Sequence, residues 1–355
     1  MISNKKWGIV FIFSTIILLV GLGAVTIIID PYFHYHAPLN TLQYPIYDER
    51  YQNDGIVKNF NYDAIITGTS TTENFKTSEF DELFNMNSVK VPFSGATYRE
   101  IGDNLKRAID ANPNIKCVLR GVDAGRLIDG KDNLKYNDLP DYLYDKCFYN
   151  DVYYIFNKEI LLKGTLDVLK YTDAGKKTTD FDDYGNWMKN ATFGKKEIEN
   201  TYKRLESAEK MVQMSDENYE TMYGNVTQNI VDVAVENPQI TFYLYWSPYS
   251  IYYWDSLKQT GTLIQQLEAQ KAATELILEC DNIFFFSFYD EYDMICNPDN
   301  YKDVLHFREE INSQILRWIY IGEHLLTKDN YEEHYRKIYE YYMNYNYASL
   351  WEQLN

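Results

Sequence analysis

Two hydrophobic patterns organise this chain. Trp7–Ile29 is a run of 23 residues without a charged side chain, long enough as one helix to cross a bilayer. Beyond residue 60, short apolar runs alternate with longer segments of helical periodicity. The runs predict strands at Asp63–Gly68, Ser88–Pro92, Lys116–Val122, Gln239–Trp246 and Asn282–Phe288. The periodic segments predict helices at Arg99–Ala111, Lys195–Met214, Asn218–Glu236, Leu257–Glu279 and Arg308–Leu326.

Strands separated by helices, each strand nearly continuous in apolar residues, are typical of a parallel sheet buried on both faces. We therefore expect an α/β fold, a doubly wound, three-layer parallel sheet of five strands preceded by one transmembrane helix. The expected parts are an N-terminus at 1–6, an anchor at 7–29, a juxtamembrane connector at 30–60, a main domain at 61–328 and a Tyr-rich helix at 329–355. Residues from about 128 to 195 break the alternation and indicate an insertion over the carboxyl edge of the sheet, such as a lid.

The flanks of the apolar run predict how it is oriented. Lys5 and Lys6 precede it, and no Lys or Arg follows until Arg50. The positive-inside rule therefore predicts a cytoplasmic N-terminus and an extracytoplasmic main domain. A cleaved signal peptide is the alternative, but the run is longer than a usual signal core and no A-x-A site follows. A buried core helix is a weaker alternative, because the segment is apolar all round.

The composition limits the classes of partner that this chain is expected to bind. A formal net charge of −18 and a pI near 4.7 disfavour nucleic acid and polybasic docking on anionic lipid. The 34 Tyr either stack on sugars or simply build an aromatic core. Four cysteines without a CxxC pair predict neither a zinc nor a redox motif, and they leave open one disulfide or free thiols. His34-Tyr-His36 supplies too few ligands for a metal, so no metal or cofactor is expected.

Ser70 is a candidate nucleophile. It follows the first predicted strand in Gly68-Thr69-Ser70, and a serine at a strand-to-helix turn can project its hydroxyl above the sheet, beside backbone N–H groups that could bind an oxyanion. Ser70-x-x-Glu73 is also the pattern of a capping box, which only starts a helix. On this segment alone, the cap is the favoured interpretation.

A second segment supplies what a serine nucleophile needs. Asp303-x-x-His306 follows the fifth predicted strand, and a serine requires a base that is oriented by a carboxylate. Of the five histidines, His306 is the one placed on a loop after a predicted core strand. Ligands in open α/β sheets bind at the carboxyl ends of strands, so we expect Ser70, Asp303 and His306 to meet there.

Over about residues 60–320, the order of these blocks resembles the SGNH/GDSL hydrolase superfamily. The resemblance implies that Gly68-Thr69-Ser70 corresponds to the Gly-Asp-Ser block, with Thr in place of Asp. Gly95, after the second strand, would correspond to the glycine that donates to the oxyanion hole, and Asp303-x-x-His306 to the terminal pair of the triad. The chain resembles more loosely the membrane-anchored branch that includes D-alanyl transfer and alginate O-acetylation proteins.

One block departs from that family. Gly121-Val122-Asp123 has Asp where the family has an Asn donor, and an ionised carboxylate only accepts hydrogen bonds. Burial could keep Asp123 protonated. Otherwise Arg120, Arg126 or Asn74 could supply the donor, or the site could be weak or inactive.

The expected substrate follows from these elements. Trp246 and Tyr249 end the fourth predicted strand, where they could form a sugar-stacking wall with Arg120 and Arg126 nearby, or equally a buried aromatic cluster. The resemblance implies a cell-membrane serine esterase or O-acyltransferase acting on an envelope glycan or a small acylated substrate. A multipass membrane protein could serve as its acyl donor. The alternative is a non-catalytic glycan-binding or scaffold module of an envelope polysaccharide assembly.

Overall fold

A computed structural model of the chain describes residues Asn4–Trp351. The described chain divides into two compact units. The first contains the residues up to Asn61 together with Asp138–Asp180, and the second contains Tyr62–Asn137 together with the residues from Phe181 onward. The segment interpreted as one insertion at 128–195 is therefore shared between the units. Its central part folds with the segment expected to be a simple connector.

The second unit is built on one six-stranded, mostly parallel sheet. The strands are β1 (Ala64–Gly68), β2 (Ser88–Pro92), β3 (Cys117–Val122), β4 (Thr241–Trp246), β5 (Ile283–Ser287) and β6 (Leu325–Leu326). They lie in the order β2-β1-β3-β4-β5-β6. The first five are parallel, and β6 pairs antiparallel with β5. Every residue of β1, β2 and β3 is buried, which explains why these strands are almost continuous apolar runs.

The strand order places a switch point between β1 and β3. The chain goes from β1 outward to β2 and then returns to β3 on the other side of β1. Loops that leave neighbouring strands in opposite directions open a crevice at their carboxyl ends, where ligands bind in such sheets. The turns after β1, β2 and β3 contain Ser70, Gly95 and Asp123, respectively.

Helices connect the strands, together with short 3₁₀ turns. The α-helices of the second unit are Thr77–Phe84, Tyr98–Ala111, Lys195–Thr201, Asp216–Val226, Asp232–Val235, Ile251–Gln259, Leu263–Ile277, Tyr292–Ile295, Glu309–Ile321 and Tyr331–Asn344. A π-helical segment, Thr227–Val231, joins two of them, and 3₁₀ turns occur at Ser70–Thr72, Ala124–Arg126, Met188–Asn190, Pro298–Asn300 and Tyr347–Trp351. The C-terminal helix Tyr331–Asn344 buries Tyr335, Ile338 and Tyr342 at helical spacing. Residues 352–355 of the predicted Tyr-rich helix lie outside the described residues.

Several predicted elements differ from the structure, and two of the differences change the ends of helices. The predicted five-stranded sheet was one strand short, because the helix expected to reach Leu326 ends at Ile321, where Gly322 adopts a left-handed conformation (φ 75°). Leu325 and Leu326 then pair with β5. The helix expected to reach Met214 ends at Thr201. Downstream of it, backbone N–H groups donate to the carbonyls of Gln259 and Gly261, a tertiary pairing that helical periodicity does not reveal.

The first unit contains the apolar N-terminal helix, Asn4–Ile29, which is long and apolar enough to cross a membrane. Its other helical segments are Glu49–Asn59, Asp141–Tyr144, Val152–Ile155, the π-helical Glu159–Gly164 and Thr165–Asp173. Tyr32, Leu143, Tyr154 and Ile160 form a buried cluster within it. This cluster explains why residues 30–61 and 138–180 fold together: each contributes side chains to the same small core.

Candidate active site

The turn after β1 presents Ser70. Gly68 has φ +146°, and a Cβ at this position would lie 2.5 Å from Cγ2 of Thr72, so the turn requires glycine. Ser70 opens the 3₁₀ turn Ser70–Thr72, and the N–H of a first helical residue has no partner within its own helix. The Ser70 hydroxyl does not cap this turn, because it is bonded elsewhere. The capping interpretation of Ser70-x-x-Glu73 is therefore not supported.

Ser70, His306 and Asp303 form a continuous hydrogen-bonded chain. The Ser70 Oγ lies 2.7 Å from Nε2 of His306, within the range for proton transfer from a nucleophile to its base. The other ring nitrogen, Nδ1, lies 2.8 Å and 2.9 Å from the two carboxylate oxygens of Asp303. This arrangement orients the imidazole with its Nε2 toward the serine, as a nucleophile–base–carboxylate triad requires.

The loop that carries Asp303 and His306 is attached to the end of β4. Val304 O accepts hydrogen bonds from the Ser250 backbone N–H (3.2 Å) and side-chain hydroxyl (2.9 Å). The Tyr301 hydroxyl donates to Pro248 O at 2.8 Å. Within the loop, Asp303 accepts the backbone N–H groups of Leu305 and His306. The loop therefore holds the base in place through contacts that do not involve Ser70.

The Asp303 carboxyl remains ionised at ordinary pH. Burial would raise its pKa, but the hydrogen bonds and charge of His306, with the two backbone N–H groups, outweigh burial and hold the pKa below its usual value of 3.8. Between pH 5 and 8, Asp303 therefore stays a carboxylate that accepts from the His306 ring.

This assignment predicts the pH dependence of Ser70 reactivity. In the reaction of Ser70 with a serine-directed fluorophosphonate, the ionised Asp303 is expected to add no deprotonation step between pH 5 and pH 8, so the limiting slope of log rate against pH is expected not to exceed about one. Rates of probe incorporation across this range measure it. A limiting slope near two would show that the carboxyl also titrates there, contrary to the assignment.

Asp123 is a hydrogen-bond acceptor in this structure. One carboxylate oxygen accepts the Thr69 hydroxyl at 2.5 Å, and the other accepts the Tyr249 hydroxyl. Burial and the nearby Asp123 charge raise the pKa of Tyr249 well above its usual value, so this hydroxyl stays protonated and donates. Asp123 thus braces the residue before Ser70. Its carboxylate does not provide the amide-like oxyanion donor discussed for this position.

Gly95 lies in the turn after β2, in a left-handed conformation (φ 63°). The Arg126 guanidinium donates to its carbonyl at 3.1 Å and pairs with Asp129 at 3.3 Å. The hydrogen bond from Arg126 therefore fixes the orientation of the Gly95 carbonyl. The backbone N–H groups of Ser70 and Gly95 remain the candidate oxyanion donors.

Asn74 contacts Trp187, which in turn contacts the backbone of Ser70. Its Oδ1 accepts the backbone N–H of Trp187 at 3.3 Å, and its buried Nδ2 has no hydrogen-bond partner within residues 4–351. The Trp187 indole N–H in turn donates to Ser70 O at 3.3 Å.

Trp187 forms an aromatic wall that the sequence did not reveal. Its ring contacts the His306 ring edge-on at 5.6 Å between centroids and lies roughly parallel to Phe193. The Lys302 ammonium lies 4.0 Å from the Trp187 ring centroid, a cation–π geometry. The sequence signal was weak: an isolated Trp in a polar stretch without secondary-structure periodicity.

The predicted substrate-binding residues Trp246, Tyr249 and Arg120 are buried. Trp246 donates its indole N–H to the Tyr335 hydroxyl at 2.9 Å, inside the core. The Arg120 guanidinium donates to the carbonyls of Asn229 (2.7 Å) and Tyr98 (3.3 Å), and burial lowers its pKa to about 10. These placements do not support a sugar wall at the end of β4. The aromatic cluster there is a core.

All four cysteines, Cys117, Cys147, Cys280 and Cys296, are free thiols.

No family of known proteins, no curated protein and no solved structure matches this chain. The geometry of the site therefore carries the functional argument.

Proposed function

We propose that this chain is a membrane-anchored serine esterase or O-acyltransferase that uses Ser70, His306 and Asp303. The observation that carries the proposal is the 2.7 Å contact between the Ser70 hydroxyl and His306 Nε2, with Asp303 on the opposite ring nitrogen. Ser70 and His306 are 236 residues apart in the sequence. A purely structural serine does not need a base that is itself oriented by a carboxylate.

The proposed reaction begins when Ser70 Oγ attacks the carbonyl carbon of an ester. His306 Nε2 accepts the hydroxyl proton, and Asp303 stabilises the resulting imidazolium. The N–H groups of Ser70 and Gly95 bind the oxyanion of the tetrahedral intermediate. As the intermediate collapses, the C–O bond to the leaving alcohol breaks, and the alcohol takes the proton from His306. An acyl group then remains on Ser70.

The second half of the reaction decides between the two activities. Water, deprotonated by His306, releases the acyl group as a carboxylic acid, which is hydrolysis. A sugar hydroxyl activated in the same way takes the acyl group as a new ester, which is transfer. The expected extracytoplasmic location and the exposed part of the Trp187–Phe193 surface support an envelope glycan as donor or acceptor, because aromatic rings stack on sugars. An acyl-donating multipass membrane protein is a compatible partner.

The SGNH/GDSL superfamily is the fold assignment that we propose. Its support is the strand order β2-β1-β3-β4-β5 and the location of Ser70, Gly95 and Asp123 after three successive strands. The exchange of Asn for an acceptor at Asp123 leaves two backbone donors for the oxyanion. Loss of one donor typically lowers the rate by about 10²–10³-fold, so slow turnover is part of the proposal.

A fluorophosphonate probe tests the function. The full-length protein in detergent is expected to be labelled covalently, and Ser70→Ala is expected to abolish labelling. The matched control is Ser287→Ala. Ser287 also contacts a histidine, with its Oγ 2.9 Å from Nε2 of His334, but Ser287 is 1% exposed, and Asp290 lies 3.9 Å from the other nitrogen of His334.

The control separates a reactive triad from a merely bonded serine. Labelling that persists in Ser287→Ala and disappears in Ser70→Ala supports the enzyme. A folded wild-type protein that takes up no probe would instead favour a non-catalytic glycan-binding or scaffold module, for which the acceptor character of Asp123 is the main support.

A further inference from the structure

The first unit exposes two apolar stripes with helical spacing. Around the helix Val152–Ile155, the exposed residues Tyr149, Val152, Tyr153 and Phe156 recur at intervals of three and four. In the following helical run, Leu162, Leu166 and Leu169 do the same. A stripe with this periodicity usually faces a protein core. Here the buried side is supplied by other residues, such as Tyr154, Ile160 and Val168.

These stripes lie beside the last turns of the apolar helix Asn4–Ile29, within the same unit. A Cβ at Gly23 would contact the side chains of Ile155 (3.1 Å) and Phe156 (3.7 Å). The Thr26 hydroxyl donates to Ile155 O at 3.1 Å. The segments Glu159–Gly164 and Thr165–Asp173 also contact this helix. Phe156 of the first stripe is therefore level with the last turns of the helix, whereas Gly164 of the second segment packs against Pro31 and Tyr32, just after the helix ends.

The position of Gly23 along the apolar helix indicates how deep in a membrane its neighbours would lie. Gly23 precedes Ile29 by six residues, which corresponds to about 9 Å at 1.5 Å per residue. Helices that lie in a membrane interface bury their apolar faces to roughly 5–10 Å. At the same level the apolar helix exposes its own Val25, Ile27 and Ile28. A lipid that surrounds those side chains would also meet Phe156 of the first stripe, and the second stripe would lie nearer the headgroups.

The composition of the stripes favours lipid over a protein partner. Tyr and Phe occupy the first stripe, and aromatic side chains concentrate at membrane–water interfaces. Exposed Lys158, Lys163 and Lys170 flank the second stripe, and such side chains extend their ammonium groups to the headgroups. The very high exposure of Tyr149 (80%) and Phe148 (68%) is otherwise unexplained.

We infer that residues 148–169 form a second membrane contact, which inserts two apolar stripes into the bilayer interface on the side where helix Asn4–Ile29 ends. Binding through one spanning helix leaves that helix, together with the unit packed on it, free to tilt and rotate in the membrane. An inserted stripe at a fixed depth restricts that freedom. The inference rests on the apolar helix and is independent of the proposed catalytic function.

Depth-dependent fluorescence quenching tests the inference. In full-length protein with Cys147→Ser, which removes the exposed thiol, single substitutions Phe156→Cys and Leu166→Cys are labelled with NBD. The proteins are placed in phosphatidylcholine nanodiscs. Quenching by lipid carrying a nitroxide at carbon 5 is expected to exceed that of a control label at Lys177→Cys, an exposed position outside residues 148–169, by about twofold, and quenching by aqueous iodide to be correspondingly weaker.

Ile17→Cys, in the middle of the apolar helix, controls for insertion of the anchor itself. The expected result is strong quenching of the Ile17 label by nitroxide at carbon 12. If the Ile17 label is quenched while the labels at 156 and 166 respond to iodide like that at 177, the stripes are not in lipid and the inference is wrong. That outcome would be expected if a protein normally covers them. A water-accessible Ile17 label would overturn the premise of a spanning helix and the inference with it.

Discussion

Replacement of His306 with alanine is expected to reduce the hydrolysis of p-nitrophenyl acetate by about 10⁴-fold or more. Ser70 would remain in its turn, but no group would be left to take its proton from a distance of 2.7 Å. The backbone donors at Ser70 and Gly95 do not depend on the imidazole. A small residual rate is therefore compatible with the mechanism. Initial rates of the full-length protein in detergent, measured at equal concentration, give the comparison.

Two further variants test whether the loss of rate in His306→Ala is specific to the Ser70–His306–Asp303 chain. Asp303→Asn is expected to lower the rate by a similar order, about 10⁴-fold, because the amide no longer stabilises the imidazolium and can select the wrong tautomer. His334→Asn removes the other histidine that contacts a serine and is expected to keep the wild-type rate. Equal rates in wild type and His306→Ala would show that hydrolysis does not proceed through this chain of residues.

The strands were the most predictable part of the fold. The first five run within two residues of their predicted limits at every end, because a strand buried on both faces must be apolar throughout and bounded by polar turns. The meeting of Ser70 with His306 was predictable for a related reason. Parallel strands bring all their carboxyl ends to one edge of the sheet, so residues far apart in sequence become neighbours there.

Tertiary contacts decided what the sequence left open. Leu325 and Leu326 continue a helical periodicity, but Gly322 ends the helix and the edge of β5 takes them as a strand. Trp246 and Trp187 are the same residue type, and the residue type does not show which of them is buried in a core and which lies at a site. The burial of the first and the position of the second beside His306 depend on what packs against them. The same holds for residues 138–180, whose partner is the segment after the apolar helix and not the neighbouring strands.

The role of Asp123 depended on a tertiary contact. Its carboxylate accepts the Thr69 hydroxyl at 2.5 Å, so the turn that carries Ser70 is attached to the end of β3. Because an ionised carboxylate only accepts hydrogen bonds, this side chain supplies no donor to the site. The sequence offered Asp123 as a candidate donor, because the residue type alone does not show which groups face it.

Trp246→Ala is expected to lower the free energy of unfolding by about 3–5 kcal/mol, the usual cost of removing a fully buried Trp side chain. The indole N–H would also no longer bond the Tyr335 hydroxyl, which connects β4 to the C-terminal helix Tyr331–Asn344. For a domain of this size, the expected decrease in Tm is roughly 6–20 °C. Thermal unfolding followed by intrinsic fluorescence in detergent measures it. Trp246→Phe is expected to retain most of the stability, because it keeps the apolar volume.

Trp187→Ala is the matched counterpart, and the pair distinguishes a core from a substrate wall. Trp187 is only partly buried, so its removal is expected to change Tm by at most a few degrees. Its contacts with Ser70 O and the His306 ring are lost, and the rate of p-nitrophenyl acetate hydrolysis is expected to fall about 10–100-fold, the range for a misplaced reacting group. If Trp246→Phe instead impairs catalysis while Trp187→Ala leaves it intact, the aromatic wall belongs at the end of β4. The burial of Trp246 and its bond to the C-terminal helix argue against that outcome, because a ring enclosed by protein cannot stack on a sugar.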